Sequence, residues 1–301
     1  MNWSASDIPP LHGKKYLITG ANSGLGLSTA KALADKGAQV TITARTPEKG
    51  EAALKATGAS AWLQMDLADL SSVRNCSSQI STRFDGVILN AGIMATPFAK
   101  TVDGFELQMA TNYLGHFAFA GLIKPFIGER LIVLSSLAHR LGSFGTGSTQ
   151  EIKDAMLGIG SYSPWKAYGR SKLADLVFVN QLERRRLQGK ESFNSIAVHP
   201  GWANTNLMTA GAKMSGDSLR EKVMGKVSEI FAQSSDEGAL PTLFAATVPD
   251  IKGASFIGPK DFGGMRGAPA FTHGNAASYR QQLGANLWKV SEELTQTSWE
   301  N

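Results

Sequence analysis

The sequence has one cysteine, Cys76, among its 301 residues, so the chain cannot form an internal disulfide. A lack of paired cysteines fits a reducing compartment. The first ten residues, MNWSASDIPP, also lack the basic and apolar regions of a secretory signal. These two absences predict a cytoplasmic protein.

Long apolar runs and a strong excess of one charge are absent as well. The longest apolar stretch, residues 117–128, is interrupted by Lys124 and Pro125, whereas a membrane-spanning helix needs about 18 apolar residues in a row. The net charge is only +5, from 30 basic and 25 acidic side chains. Over this length, that excess does not favour nucleic acid as a partner. We therefore expect no transmembrane segment and no nucleic-acid partner.

The chain does contain a regular alternation of short apolar runs and longer helical patterns. Runs that are apolar nearly throughout are typical of strands buried on both faces of a parallel sheet. They predict strands at 15–19, 39–43, 61–65, 86–90, 130–135 and 194–199, with helices near 24–36, 47–56, 69–82, 104–124 and 165–188. The alternation predicts the α/β class, as a doubly wound Rossmann-type domain with helices on both faces. We expect its mainly parallel sheet to have seven strands.

No repeat, low-complexity tract or linker divides the sequence, and we expect a single domain over residues 1–301. Two stretches depart from the alternation of predicted strands and helices. Residues 141–163 are rich in Gly and Ser, and residues 202–235 carry Met208, Met214 and Met224 in weakly patterned sequence. Loops this long in a compact domain are usually functional or mobile, and plain surface insertions are the alternative. We predict an insertion at 141–163 and a substrate-loop segment at 202–235.

The first predicted strand leads directly into the sequence TGANSGLG at 19–26. A glycine-rich turn between a strand and a helix lets the backbone approach a pyrophosphate closely. The helix N-terminus then offers free N–H groups and the positive end of its dipole. The turn lies at the first strand–helix junction, which is the context that dinucleotide binding requires. The cofactor-binding residues predicted in this turn are Gly20, Asn22, Ser23, Gly24, Leu25 and Gly26.

The end of the second predicted strand bears on the choice between NAD and NADP. An acidic residue there would hydrogen-bond the ribose 2′-hydroxyl of NAD, whereas a nearby arginine favours the 2′-phosphate of NADP. The sequence has no acid at Thr43 or Ala44, and Arg45 follows the strand directly. We therefore predict Arg45 as a cofactor-binding residue, with NADP(H) preferred and NAD(H) as the second choice. The alternative is that the Arg45 side chain merely points to solvent.

Tyr168 and Lys172 lie four residues apart in a predicted helix and so share one of its faces. A phenol, with an ordinary pKa of about 10, is a poor base at neutral pH, but a nearby ammonium stabilises the phenolate. Such a pair suits a general acid/base that moves a proton to or from an alcohol oxygen. Ser135 and Ser136 end a central strand, where ligands bind in such sheets. A serine hydroxyl there can hydrogen-bond a substrate carbonyl or alcohol.

These motifs occur in the order typical of a known family. They are TGANSGLG at 19–26, Asp66 in MDLADL, NAG at 90–92, Asn112, Ser136, YGRSK at 168–172 and HPGWANT at 199–205. The sequence resembles the short-chain dehydrogenase/reductase family over most of its length. Stretches such as GFELQMATNYLGHF and SSLAHR are similar to the retinol-dehydrogenase-like branch of that family.

The resemblance implies a catalytic tetrad of Asn112, Ser136, Tyr168 and Lys172. It also implies that Asp66 contacts the adenine, that Asn90 lines the cofactor channel, and that Pro200, Gly201 and Thr205 hold the nicotinamide end. The remaining cofactor-binding residues that we predict are Leu67, Ala91, Gly92, Tyr168 and Lys172. No metal is expected, and we interpret His116, His139 and His199 as structural residues.

We expect an NADP(H)-dependent oxidoreductase that interconverts an apolar alcohol and its aldehyde or ketone. The apolar side chains of residues 202–235 predict this substrate class, with Ser136, Trp202, Leu207 and Met208 as substrate-binding residues. Two alternatives stay open: reduction of a carbon–carbon double bond on the same scaffold, and a non-catalytic NADP-binding sensor. The insertion at 141–163 could cover a surface that compact relatives use to form tetramers, and a homodimer is the assembly we consider.

Overall fold

A mainly parallel, eight-stranded sheet runs through the structure, a computed structural model that describes residues 3–202 and 233–300. The strands are β1 (Lys15–Ile18), β2 (Gln39–Ala44), β3 (Ala61–Gln64), β4 (Phe84–Leu89), β5 (Ile127–Leu134), β6 (Asn194–Val198), β7 (Phe256–Asp261) and β8 (Arg266–Thr272). Their order across the sheet is β3-β2-β1-β4-β5-β6-β7-β8. Strands β1 to β7 pair in parallel, and β8 pairs antiparallel with β7.

Helices connect these strands. They are α1 (Gly24–Asp35), α2 (Pro47–Thr57), α3 (Leu70–Ser78), α4 (Leu107–Met109), α5 (Gly115–Leu122), α6 (Thr149–Leu157), α7 (Pro164–Leu187), α8 (Ser235–Thr247) and α9 (Gln281–Thr295). The helix predicted near 104–124 is in three pieces, because a π-helical turn at Ala110–Leu114 separates α4 from α5. None of the helices in the described part of the chain is long and apolar enough to cross a membrane.

The α/β class and the mainly parallel sheet are confirmed, but the prediction of seven strands is wrong, because the sheet has an eighth strand, β8. The sequence of β8, RGAPAFT, contains Pro269 and no continuous apolar run. Proline cannot donate a hydrogen bond to a sheet, and it is confined to edge strands, first positions and bulges. An edge strand of this kind lacks the apolar pattern that marks the buried strands.

Successive residues of the central strands point to opposite faces of the sheet, and both faces are covered. In β1, Leu17 belongs to the apolar cluster that includes residues of α3, α5, α7 and α9. Its neighbour Ile18 belongs to the second cluster, which includes residues of α1, α2 and α8. Burial on both faces explains why these strands are apolar nearly throughout rather than alternating.

The strand order reverses at β1, which pairs with β2 on one side and β4 on the other. In an open parallel sheet, the connections from such a pair of strands diverge and leave a crevice at their carboxyl ends, where ligands bind. The glycine-rich turn at 19–26 follows β1, and the NAG sequence at 90–92 follows β4. The fold therefore places both predicted motifs at this crevice.

Aromatic rings pack together where the C-terminal residues return to the sheet. Trp299 is fully buried. Its ring centroid lies 5.6 Å from that of Phe117, 5.8 Å from Phe178 and 5.0 Å from Trp288. The Arg185 guanidinium lies 4.4 Å from the Trp288 ring centroid, as a cation–π contact. The cluster joins α5, α7 and α9 on one face of the sheet.

We predict that Trp299→Ala lowers the free energy of unfolding by about 3–5 kcal/mol, because the cavity it leaves is enclosed by other rings. Urea unfolding measures this change. Phe262→Ala is the control, since Phe262 is 72% exposed and its loss should change the free energy of unfolding by no more than about 0.5 kcal/mol. Equal effects of the two substitutions would contradict the assignment of this cluster to the core.

Candidate active site

The N-terminus of α1 has no side-chain cap from the residue that precedes it. Ser23 precedes the helix, and its side chain makes no capping hydrogen bond. The first N–H groups of a helix have no partner within the helix. Gly24 has a φ of +54°, a left-handed conformation that favours glycine. Asn22 and Ser23 are half-buried beside it, and Leu25 is buried on the first turn of the helix.

Two further glycines bring this turn against the segment that follows β4. A Cβ atom at Gly20 would lie 2.7 Å from the Cβ of Ala91, and one at Gly26 would lie 2.4 Å from Nδ2 of Asn90. No side chain fits at either position. An uncapped helix N-terminus preceded by a turn this compact is the arrangement that holds a pyrophosphate. The residues present therefore fit a dinucleotide.

The predicted adenosine contacts lie at the ends of β2 and β3. Arg45 directly follows β2 and is exposed, and its backbone carbonyl accepts a hydrogen bond of 3.1 Å from Nε2 of Gln64. Asp66 follows β3, and its Oδ1 accepts a hydrogen bond of 2.9 Å from the N–H of Ala68. Leu67 is buried next to it. The fold thus brings Arg45 and Asp66 to the same edge of the sheet as the glycine-rich turn.

The hydroxyl of Thr19 joins the two strands that border the crevice. Its Oγ1 accepts hydrogen bonds from the N–H groups of Asn90, at 2.9 Å, and Ala91, at 3.0 Å. In return, Nδ2 of Asn90 donates to the backbone carbonyls of Thr19, at 2.9 Å, and Gly20, at 3.3 Å. These bonds fix the NAG segment relative to the glycine-rich turn.

His116 continues this network toward Asn112. Its Nε2 lies 2.9 Å from Oγ1 of Thr19, and its Nδ1 lies 2.9 Å from the backbone carbonyl of Asn112. The carbonyl can only accept, so Nδ1 carries the ring proton, and Thr19 donates its own proton to Nε2. Burial lowers the pKa of His116 to about 3. The ring is therefore neutral and uses both nitrogens.

Asn112 is buried in the π-helical turn between α4 and α5. Its Oδ1 accepts a hydrogen bond of 2.8 Å from the N–H of Ile93, and its Nδ2 donates to the Ile93 carbonyl at 3.0 Å and to Oγ of Ser171 at 2.8 Å. A Cβ at Gly92 would lie 3.1 Å from Asn112 Oδ1. The side chain thus links the NAG segment to α7, and a small residue at position 92 leaves it room.

The two serines after β5 have different surroundings. Ser135 is buried, and its Oγ donates to the backbone carbonyl of Lys172 at 2.8 Å. Ser136 is half-buried and precedes a short 3₁₀ helix, where its Oγ accepts from the N–H of Ala138 at 3.2 Å. Among the described residues the Ser136 hydroxyl accepts but does not donate, whereas the proton of Ser135 is used within the fold.

Tyr168 lies on α7, which approaches the segment after Ser136 very closely. A Cβ at Gly169 would lie 2.6 Å from the carbonyl oxygen of Ala138, and one at Gly142 would lie 2.3 Å from the carbonyl oxygen of Gly169. This contact therefore requires both glycines. It places the helix turn that carries Tyr168 beside the turn that begins at Ser136. The Tyr168 side chain is 7% exposed.

Lys172 is one helical turn beyond Tyr168 and is almost fully buried. Its ammonium donates hydrogen bonds to the carbonyl oxygen of Leu134, at 2.7 Å, and to Oδ2 of Asp175, at 3.0 Å. A Cβ at Gly92 would lie 3.8 Å from Lys172 Nζ. The structure therefore brings a buried cation, the NAG segment and Asn112 to the same end of the sheet.

The segment after β6 closes the other side of the crevice. Gly201 has a φ of +69°, and its N–H donates to Nδ1 of His199 at 3.2 Å. The Gln233 side chain donates to the carbonyl oxygens of Pro200, at 2.7 Å, and Met265, at 3.1 Å. Burial lowers the pKa of His199 to about 3. His199 therefore acts as a neutral acceptor that shapes the Pro200–Gly201 turn.

The predicted substrate-binding residues are only partly described. Trp202 is 40% exposed at the end of the turn after β6. Thr205, Leu207 and Met208 lie outside the described residues, as does most of the segment 202–235.

The insertion at 141–163 contains a helix, α6, and packs against the start of α4. Tyr162 Oη accepts a hydrogen bond of 2.7 Å from Nε2 of Gln108 and donates to the carbonyl oxygen of Thr96 at 2.9 Å. Gln108 Oε1 accepts from the N–H of Ala95 at 2.8 Å. Burial raises the pKa of Glu106, which lies 3.3 Å from Tyr162 Oη. The insertion therefore supports the loop that follows the NAG segment.

Sequence reasoning interpreted His116 as structural, but it missed the network of polar residues that supports the site. Thr19 and His116 join the two strands to Asn112, Ser171 joins Asn112 to α7, and Asp175 pairs with Lys172. The spacing of His116 four residues after Asn112, and of Asp175 three after Lys172, was a usable signal, because residues three or four apart share a helix face. In residues 3–202 and 233–300, no three or more His, Cys, Asp or Glu side chains come together in a way that could hold a metal ion.

A dinucleotide-type turn at the switch point of a doubly wound sheet, with a buried lysine one turn after a tyrosine, is the combination that we expect in a nicotinamide-dependent oxidoreductase. The short chain dehydrogenase family model matches residues 14–147. A short-chain dehydrogenase/reductase, prx1, from Penicillium roqueforti is 31% identical over 97% of this chain and 87% of its own length. Retinol dehydrogenase 13 from Homo sapiens is 34% identical over 97% of this chain and 86% of its own.

Solved structures of related proteins have the same fold. An uncharacterised protein from Mycobacterium paratuberculosis is 38% identical, with a TM-score of 0.83 over 99% of both chains. A short-chain dehydrogenase from Burkholderia cenocepacia in complex with NADP shares the fold, with a TM-score of 0.57, 24% identity and coverage of 79% of this chain and 92% of its own. The chain belongs to the short-chain dehydrogenase/reductase family, whose members are oxidoreductases that act on CH–OH groups with NAD(P). The resemblance to its retinol-dehydrogenase-like branch is confirmed.

We predict that His116→Gln makes the stability of the protein less sensitive to acid. The pKa of His116 is lowered to about 3 in the fold, so below pH 6.5 the unfolded chain binds a proton that the folded chain does not. Stability therefore falls as the pH drops from about 6.5 toward 3, by about 1.4 kcal/mol per pH unit for one such group. Urea unfolding at pH 6, 5 and 4 should show a slope shallower by that amount in the variant.

His273→Gln is the control for this measurement, because His273 is exposed. Its slope should match that of the unmodified protein. If His116→Gln also leaves the dependence of stability on pH unchanged, then the assignment of His116 as a neutral ring with both nitrogens hydrogen-bonded is wrong.

Proposed function

We propose that this protein is an NADP(H)-dependent oxidoreductase that interconverts an apolar alcohol and its aldehyde or ketone. The observation that carries the proposal is the placement of Tyr168 and Lys172 one turn apart on α7, with the lysine ammonium held by Leu134 and Asp175 beside the NAG segment. A tyrosine next to a buried cation can exchange a proton with an alcohol oxygen near neutral pH.

The cofactor would lie across the switch point of the sheet. The pyrophosphate would bind at the uncapped N-terminus of α1, over the turn from Gly20 to Gly26. Asp66 and Leu67 would contact the adenine, and Asn90, Ala91 and Gly92 would line the channel. The exposed Arg45 favours a 2′-phosphate and hence NADP(H) over NAD(H). Pro200, Gly201 and Thr205 would hold the nicotinamide end.

The cofactor supplies the hydride, and the chain supplies orientation and proton transfer. The Ser136 hydroxyl would hold the substrate oxygen. Tyr168 would give a proton to that oxygen in reduction and take it back in oxidation. The ammonium of Lys172 would stabilise the phenolate that remains after proton donation. Asn112 donates a hydrogen bond to Ser171 on α7, and it would fix the position of the NAG segment relative to the lysine.

The apolar substrate class rests on Trp202, Leu207 and Met208, and on the relatives that are named retinol dehydrogenases. Reduction of a carbon–carbon double bond is the second candidate on this scaffold, and product analysis distinguishes it from carbonyl reduction. A non-catalytic sensor has no need of the tyrosine–lysine pair. The cytoplasmic location, the single domain and the homodimer stay predictions.

Tyr168→Phe tests the assignment directly. We predict that it lowers turnover of NADPH with a panel of apolar aldehydes and ketones by about 10²–10⁴-fold, since it removes the proton donor. NADPH binding, followed by fluorescence, should change little. Tyr279→Phe is the control, because Tyr279 is 46% exposed and plays no part in the proposed mechanism. A parallel loss of binding and turnover in Tyr168→Phe would argue for a structural role only.

Arg45→Ala tests the cofactor preference. We predict a rise of about 10–100-fold in the KM for NADPH, from the loss of a charge-assisted hydrogen bond, with the KM for NADH unchanged. Lys55→Ala, at the far end of α2, is the matched control for loss of one exposed cation. Equal changes in the two KM values of Arg45→Ala would exclude a contact to the 2′-phosphate.

A further inference from the structure

Asp175 is a buried carboxylate in direct contact with the lysine of the proposed proton-transfer pair. It lies three residues after Lys172 on α7, and its side chain is 1% exposed. Oδ2 accepts a hydrogen bond of 3.0 Å from Lys172 Nζ. Oδ1 is also buried, and it has no hydrogen-bond partner among the described residues. Such an oxygen is rare in a native fold and calls for an explanation.

The geometry leaves Lys172 little freedom. An ammonium has three N–H donors, and two of them are used by the Leu134 carbonyl, at 2.7 Å, and by Asp175. One donor remains for the site. Asp175 therefore supports the lysine from within α7, and any change in the charge of Asp175 acts on the lysine across a single hydrogen bond.

The charge of Asp175 can change near neutral pH. Burial raises the pKa of Asp175 to about 7, and Lys172 opposes this shift. Two further ionisable groups interact with the charges of this pair: Tyr113 on the π-helical turn, with Asp175, and His116 at the start of α5, with Lys172. Burial raises the pKa of Tyr113 and lowers that of His116 to about 3. Of these three groups, only Asp175 has a shifted pKa near neutrality.

We propose that Asp175 is a positioning residue of the proton-transfer centre, which acts through Lys172 and whose charge sets how strongly the lysine stabilises the phenolate of Tyr168. This inference rests on the function proposed above. An ammonium with an anion 3.0 Å behind it presents a weaker field to a third group than an ammonium beside a neutral acid does. Ionisation of Asp175 therefore weakens the lysine's effect, and protonation restores it.

A purely structural role is the alternative. A buried lysine requires a partner, and removal of that partner is strongly destabilising whatever the chemistry. Asp175→Asn separates the two roles, because the amide keeps the size of the side chain and an oxygen that accepts from Lys172, but carries no charge. Glu191→Gln is the matched control. Glu191 is also a buried carboxylate, and it pairs with Arg185 at 2.9 Å. Its Oε2 has no hydrogen-bond partner among the described residues and lies 3.8 Å from Nζ of Lys124.

The experiment measures kcat/KM for oxidation of aliphatic alcohols with NADP between pH 5 and 10, in the unmodified protein, Asp175→Asn and Glu191→Gln. We expect the acidic limb of the profile to move to lower pH in Asp175→Asn, by about one unit, with no movement in Glu191→Gln. A loss of the same factor at every pH in Asp175→Asn would overturn the proposal, since that is what a structural role predicts. A shift in Glu191→Gln as well would overturn it too.

A second readout needs no turnover and separates this inference from the proposed function. Because the pKa of Asp175 is raised in the fold, the folded chain binds a proton that the unfolded chain lacks between about pH 4 and 7. The unmodified protein should therefore lose stability relative to Asp175→Asn as the pH rises through that interval. If no alcohol is oxidised, the proposed function fails. If the difference in stability between the unmodified protein and Asp175→Asn is constant across this interval, Asp175 does not titrate there and the inference fails, whether or not the protein is an enzyme.

Discussion

The arrangement of the crevice at the ends of β1 and β4 depends on one hydroxyl, that of Thr19. It accepts the N–H groups of Asn90 and Ala91 and donates to His116, which in turn donates to the backbone of Asn112. These three bonds of the hydroxyl, with the bond from His116, tie the NAG segment and the π-helical turn to the end of β1. Thr19, His116 and Asn112 are buried away from water, where an unpaired partner is far more unfavourable than in solvent. The network is therefore held as a unit.

Helix α7 is the second fixed element, and its position depends on a close steric fit as well as on polar contacts such as that between Asn112 and Ser171. The paired glycines at 142 and 169 let the helix approach the segment after β5 to a distance that no side chain would permit. This approach places Lys172 within reach of the Leu134 carbonyl and the Ser135 hydroxyl within reach of the Lys172 carbonyl. A buried ion pair is rarely a net source of stability. The apolar clusters on both faces of the sheet supply the stability that this polar centre does not.

Most of the fold could be predicted from local patterns in the sequence. β1 to β6 were predictable because burial on both faces forces apolar runs, and the turn before α1 was predictable because Gly20, Gly24 and Gly26 lie close together in sequence. The positions of β7 and β8 were not, and β8, a proline-containing edge strand, has no such pattern. Helix α6 could have been found: Ser148 and Glu151 form a capping box, which is visible as S-x-x-E. The partner of His116 could not, because Thr19 is 97 residues away and only the folded chain brings the two together.

Buried polar atoms that have no hydrogen-bond partner in the described residues show where the sequence departs from the most stable choice. They belong to Thr96 and Thr111, which lie next to the site, to Glu191 and Trp299, which lie away from it, and to Asp175, among others. Each such group lowers stability by about 1–3 kcal/mol. A missing partner alone is therefore no mark of function in this chain. Asp175 differs because it touches a charged residue of the proposed mechanism. An apolar residue at position 175 would remove the oxygen that lacks a hydrogen bond. It would also leave the buried ammonium of Lys172 without its anion. The need of Lys172 for a partner therefore explains why residue 175 is an aspartate.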